Sequence, residues 1–156
     1  FKMAKFPIVC ANYDFTGTEL ASIVKPYVIL HRQGVKIGVF GLCPELKGLV
    51  SEANYGVIKY ENPVEKGREM AEFLKKKEKC DVIICLSHLG WDMDGDDDTE
   101  MIPGSRYIDL VLGGHSHTYF KDLQDVKDLD GKPVPVDQNG KSAIWVGKMV
   151  LDLSKK

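Results

Sequence analysis

Two short runs constrain this chain more than anything else in it: Asp81-Val82-Ile83-Ile84-Cys85-Leu86 and Asp109-Leu110-Val111-Leu112, the second led in by Tyr107-Ile108. Continuous apolar runs of this length predict strands covered on both faces, the habit of parallel sheets, where a half-solvated strand would alternate. A helix signal precedes the first. Asn62-Pro63-Val64-Glu65 offers an N-cap, a proline at the first helical position and an acid at the third. Val64, Gly67, Ala71 and Leu74, with Met70 and Phe73 beside them, then make one apolar stripe. Lys75-Lys76-Lys77-Glu78-Lys79 closes it with cations at the negative end of the helix dipole, a solvated last turn. A helix followed by two buried strands is α/β patterning.

Upstream, Ile8-Val9-Cys10-Ala11-Asn12-Tyr13 predicts a short strand after Pro7. Residues 27–31 and 35–42 flank Arg32-Gln33-Gly34 and predict a hairpin, with Gly38 and Gly41 marking close backbone packing. Downstream, Asp128-Leu129-Asp130-Gly131-Lys132 and Asn139-Gly140-Lys141 predict turns around a short strand over 134–138. A last strand is expected over 144–153. No internal repeat or interdomain linker divides the chain, so residues 1–156 are expected to form one unit.

Composition excludes several classes. With 156 residues, 44% hydrophobic and 28% charged, the chain can bury a core without staples and is neither disordered nor collagen-like. Twenty-one basic against 23 acidic residues give a net charge of −2, which offers no broad attraction for a nucleic-acid polymer or a membrane surface. No apolar run approaches the ~20 residues of a membrane span. Cys10, Cys43, Cys80 and Cys85 form no Cys-x-x-Cys. Cys10, Cys43 and Cys85 fall in strand-like runs, where free cysteine behaves as a small buried hydrophobe. Phe1-Lys2-Met3-Ala4-Lys5-Phe6-Pro7 has no signal-peptide core.

The chemistry gathers behind the two apolar runs. His88 stands in Leu86-Ser87-His88-Leu89-Gly90, and His115 and His117 in Gly113-Gly114-His115-Ser116-His117-Thr118. Open parallel sheets place ligand sites at the carboxyl ends of their strands. Histidines at i and i+2 of a turn can reach two neighbouring metal ions, and neutral imidazole suits Zn²⁺, Mn²⁺ or Fe. A lone histidine at a strand end is more often a hydrogen-bonded bystander. Three brought together by strand topology point instead to a metal site of hydrolytic type. His31 has no such company and is expected on the surface.

Asp92-Met93-Asp94-Gly95-Asp96-Asp97-Asp98 lacks the glycine and glutamate spacing of a Ca²⁺ loop. It predicts a solvated loop, with Asp98 capping the short segment 99–102.

At these motifs the chain resembles the calcineurin-like metallophosphoesterases, and within them the bacterial 5′-nucleotidase branch. Gly-Gly-His-Ser-His-Thr behind the strand Tyr107-Ile108-Asp109-Leu110-Val111-Leu112 is similar to that branch's last metal motif, and Leu86-Ser87-His88-Leu89-Gly90 to the one before it. Ala11-Asn12 after Phe6-Pro7-Ile8-Val9, the strand over 35–42 and Gln138-Asn139-Gly140 resemble further segments of the branch. The likeness runs over nearly the whole chain.

The resemblance implies a four-layer αββα sandwich, of which residues 1–156 are the C-terminal half. It implies two divalent ions, Zn, Mn or Fe, with His88 and His115 on one and His117 on the other, clamping a phosphate ester for in-line attack. Asn12 is expected on the substrate side or as a strand-end turn former, and Trp91 as a lining of the substrate pocket. The substrate implied is a small phosphate monoester, a nucleotide above all, in a periplasmic or other extracytoplasmic compartment. The family's Asp-x-His and Gly-Asn-His-Glu/Asp motifs, which carry the remaining ligands and the acid/base histidine, have no counterpart here. The chain alone is therefore expected to contain no catalytic residue and to be inactive without the upstream half of the domain. A phosphodiesterase or cyclic phosphodiesterase of the same fold, a non-catalytic metal-binding fragment and a mononuclear zinc hydrolase are the alternatives.

Overall fold

The computed structural model describes residues 3–153. Its first strand, β1 (Ile8–Val9), ends where a single strand over 8–13 was expected to continue. The chain bends at Ala11-Asn12 and resumes as β2 (Tyr13–Asp14) in a different small sheet. β3 (Val24–Lys25) pairs in parallel with β1. β4 (Tyr27–Arg32) and β5 (Val35–Leu42) form the expected hairpin. Both its turn residues have positive φ, 49° at Gln33 and 81° at Gly34, the geometry that matches the twist of the flanking strands.

After β5 come a single helical turn, α1 (Glu52–Tyr55), and β6 (Lys59–Tyr60), which pairs antiparallel with β2. Helix α2 (Pro63–Lys76) starts as the sequence requires, with Asn62 Oδ1 accepting from the Glu65 amide at 3.0 Å. It crosses from β5 to its parallel neighbour β7 (Val82–Ser87). A short turn, α3 (Asp98–Met101), then leads to β8 (Leu110–Leu112), β9 (Gln124–Lys127) and β10 (Pro133–Asp137). The main sheet runs in the order β4-β5-β7-β8-β10-β9, four parallel strands between two antiparallel edges. This is an α/β fold.

The buried stripe of α2, Gly67, Ala71 and Leu74, packs on one face of this sheet. Gly67 lets the helix approach closely: a Cβ there would lie 3.2 Å from both Leu42 and Met101, a tight contact that their side chains would have to yield to. Phe40, Ile83, Ile102, Ile108, Val111, Val134 and Val136 complete the core. Gly41 is the tighter constraint. A Cβ would stand 2.3 Å from the Val9 carbonyl oxygen, because β1 crosses directly over the end of β5, where the Ala11 amide donates to the Gly41 carbonyl.

Two expectations need correction. β7 and β8 are not covered on both faces along their whole length: Leu86 is 41% and Leu112 37% exposed. Coverage of that face fails toward the carboxyl ends, where only the segment 147–151 lies over Ile84, Leu110 and Leu112. The last strand is absent as well. Residues 144–153 form no ladder, and Val146 is 91% exposed. β10, the strand just before them, already has β8 on one edge and β9 on the other, and left-handed backbone at Ser142 and Ala143 turns the chain away.

Candidate functional site

Registers across the parallel strands put Leu42 beside Ser87, Leu86 beside Leu112, and Leu112 beside Asp137. The residues that follow these strands therefore leave one edge of the sheet together: Cys43, His88, Gly113 and Gln138. His88 is anchored there by its amide, which donates to the Leu42 carbonyl at 2.8 Å.

The structure brings two of the predicted histidines, His88 and His115, together, while His117 is exposed two residues on. The His88 and His115 rings have centroids 5.1 Å apart, tilted by 59°. Glycine makes the approach possible, since a Cβ on Gly114 would sit 3.0 Å from His88 Nδ1. His115 and His117 both adopt left-handed backbone, at φ 76° and 59°. Side chains other than glycine enter that region at a cost of roughly 1–3 kcal/mol each and are held there by their surroundings.

Those surroundings are a partly buried polar network. With histidines at alternate positions of the turn, Ser116 and Thr118 take the other side. Gln138, 1% exposed, accepts through Oε1 from the Ser116 hydroxyl at 2.8 Å and the Thr118 amide at 2.7 Å. The Ser116 hydroxyl in turn accepts from the Trp91 amide at 3.2 Å, tying the loop after β7 to the loop after β8. Trp91 is half-buried and meets Phe120 edge-on, with centroids 4.9 Å apart.

Behind this lies Asp98, which does not cap as expected. Asp97 is the cap, accepting from the Thr99 amide and hydroxyl at 2.7 Å and, through its other oxygen, from the Met93 amide at 2.6 Å. Asp97 and Asp98 are buried, so the acidic loop is solvated only over residues 92–96. Asp98 accepts a hydrogen bond from the Ser87 hydroxyl, one residue before His88. Burial pushes its carboxyl up to about 7; the Ser87 hydrogen bond opposes this and the charge of Asp97 adds to it. Among the described residues Asp98 Oδ2 and Gln138 Nε2 have no hydrogen-bond partner, and both face Gly113, where a Cβ would meet them at 3.0 and 3.2 Å. The sequence signal for this network was the Ser/Thr alternation in the histidine turn; nothing local marked Asp98.

Asn12 lies fully buried at the end of β5. Its Nδ2 donates to the Cys43 carbonyl at 2.7 Å and its Oδ1 accepts from the Cys43 amide at 2.9 Å. His31 is exposed in the hairpin, as expected.

The donor chemistry suits a transition metal but does not complete a site. Partial burial, and then the neighbouring His115 and His117, hold the His88 pKa below the usual histidine range, which favours the neutral imidazole that coordinates. Among the described residues, no cluster of three or more His, Cys, Asp or Glu side chains converges closely enough to hold an ion. Also among the described residues, no helix is long and apolar enough to cross a membrane.

A scan of family models gives no match. Comparison with individual proteins does. The chain is 38% identical over 125 residues to a 5′-nucleotidase of Vibrio cholerae, covering 72% of this chain and 22% of that protein. It is 34% identical over 124 residues to protein UshA of Yersinia enterocolitica, covering 74% and 22%. Its fold superposes on the calcineurin-like phosphoesterase YfkN of Bacillus subtilis with a TM-score of 0.70 and 26% identity, over 88% of this chain and 47% of that one. The chain thus spans about a fifth of the length of these two relatives. With the histidine turns, the parallel sheet that presents them and these likenesses in agreement, the chain belongs to the calcineurin-like metallophosphoesterases, in their bacterial 5′-nucleotidase branch.

Proposed function

We propose that the protein containing this chain is a metal-dependent hydrolase of phosphate monoesters, nucleotides above all, and that residues 1–156 are the C-terminal portion of its catalytic domain. The observation that carries this reading is the meeting of His88 and His115 at 5.1 Å from the carboxyl ends of adjacent parallel strands, with His117 two residues on. In this proposal His88 and His115 hold one divalent ion and His117 a second, drawn from Zn, Mn or Fe. Such ions, when bound, supply positive charge to phosphate oxygens and acidify water.

The chain's own residues do the rest of what can be assigned here. Gln138, Ser116 and Thr118 fix the turn that carries His115 and His117. Trp91, held by Ser116 and Phe120, lines the substrate side in this proposal. In this proposal the acid or base for the leaving alcohol comes from the upstream part of the domain. The open sheet face at Leu86 and Leu112 is where a further layer of the αββα sandwich would pack. By the habit of the family, the compartment is extracytoplasmic.

Assaying the complete protein against p-nitrophenyl phosphate, AMP and a phosphate bis-ester tests the reading. Hydrolysis of both monoesters, abolished by chelation and restored by Mn²⁺ or Zn²⁺, is the expected result. Cleavage of the bis-ester alone would replace it with the phosphodiesterase alternative, and metal binding without any turnover with the non-catalytic one.

A further inference from the structure

Away from the histidines, the crossing of β1 over the end of β5 brings two cysteines together. Cys10 follows β1 and Cys43 follows β5. The buried Asn12 amide holds both: its Oδ1 accepts from the Cys43 amide at 2.9 Å and from the Cys10 thiol at 3.6 Å, while its Nδ2 donates to the Cys43 carbonyl. Both side chains line one apolar cavity of about 570 Å³, walled also by Val9, Tyr13 and Leu46. Cys10 is buried and Cys43 partly exposed, so an outside reagent has a way to the second.

The neighbouring Cys10 thiol draws that of Cys43 below its ordinary range, and Cys43, together with burial, pushes the Cys10 thiol well above its own. The remaining cysteines have other surroundings. Cys85 lies fully buried within β7, its thiol pushed up by burial, and Cys80 packs against Gly38. Burial of that kind makes a cysteine inert, whereas a partly exposed thiolate beside a second thiol is the arrangement of a redox-labile pair.

We propose that Cys10 and Cys43 are a site of reversible oxidation, closing to an intramolecular disulfide on exposure to a small-molecule disulfide. The Cys43 thiolate attacks one sulfur of the reagent RSSR, releasing RS⁻ and leaving a mixed disulfide. Cys10 then gives up its proton, and its sulfur attacks that of Cys43 and expels the second RS⁻. Both thiolates leave as RSH; the protein loses two hydrogens and two electrons, and the reagent gains them. The pair shares no residue with the histidine site, so it stands or falls independently of the metal.

The test uses the complete protein, reduced, freed of reductant and incubated with oxidised glutathione. Free thiols are then blocked with N-ethylmaleimide, and tryptic peptides are weighed. Trypsin leaves Cys10 in the peptide 6–32 and Cys43 in 37–47. The expected result is these two peptides joined, ~2 Da lighter than their sum and separated again by dithiothreitol. In Cys10→Ser, where no second thiol can displace the reagent, glutathione should instead remain on Cys43. Wild-type protein that carries glutathione on Cys43 without the cross-link, or maleimide on both cysteines, would overturn the proposal.

Discussion

His115 and His117 hold backbone conformations that a histidine adopts only under constraint, and their constraint is a single glutamine: one oxygen of Gln138 receives both Ser116 and Thr118. Beside it, the carboxyl of Asp98 gives the site a signature in pH. Folded, it titrates at about 7 against an ordinary 3.8, so the native state binds that proton more tightly than the unfolded one. The stability it contributes is therefore present in full below about pH 4 and is lost as pH rises through 7, on the order of a few kcal/mol over that window. Urea unfolding of Asp98→Asn, which keeps the shape and removes the titration, should show a flatter profile than the wild type between pH 4 and 7. Parallel profiles would mean that Asp98 is ionised throughout.

At the scale of elements, α2 is where local pattern and tertiary packing agree. Its N-cap, its proline and its apolar stripe are all legible within fourteen residues, and Leu74 in its last turn is fully buried. Leu74→Ala should lower the unfolding free energy by about 2–5 kcal/mol, the range for a core leucine whose neighbours cannot collapse into the space. A denaturation midpoint unchanged from the wild type would deny α2 its place in the core. The hairpin of β4 and β5 was legible for the same reason, since its turn residues and strands are adjacent in sequence. β9 was not. Gln124-Asp125-Val126-Lys127 has only one apolar residue, and it is a strand because β10 offers an edge. The apolar residues of 144–153 pointed to a strand, but the neighbouring edges were already taken.

Over the whole molecule, one arrangement serves both fold and site: four parallel strands end along one line, and each loop that leaves it carries a polar or sulfur-bearing residue. The histidines could be read from sequence because each sits immediately behind a strand that announces itself. The network that fixes them could not. Asp98 reaches Ser87 from eleven residues away and Gln138 reaches Ser116 from twenty-two, contacts that only the sheet order creates. The same order leaves Leu86 and Leu112 exposed near the histidines, in a chain spanning 22% of its Vibrio cholerae relative. The net charge of −2 gives the surface no general attraction for phosphate.

The central claim is that the histidine edge is a wall of a paired-metal site. Its most direct test is to compare His115→Ala with wild type in the complete protein, measuring bound metal by elemental analysis alongside the rate on a phosphate monoester. Loss of a ligand should lower metal content and reduce the rate by at least ~100-fold. Full metal content with an unchanged rate would show that His115 holds no ion.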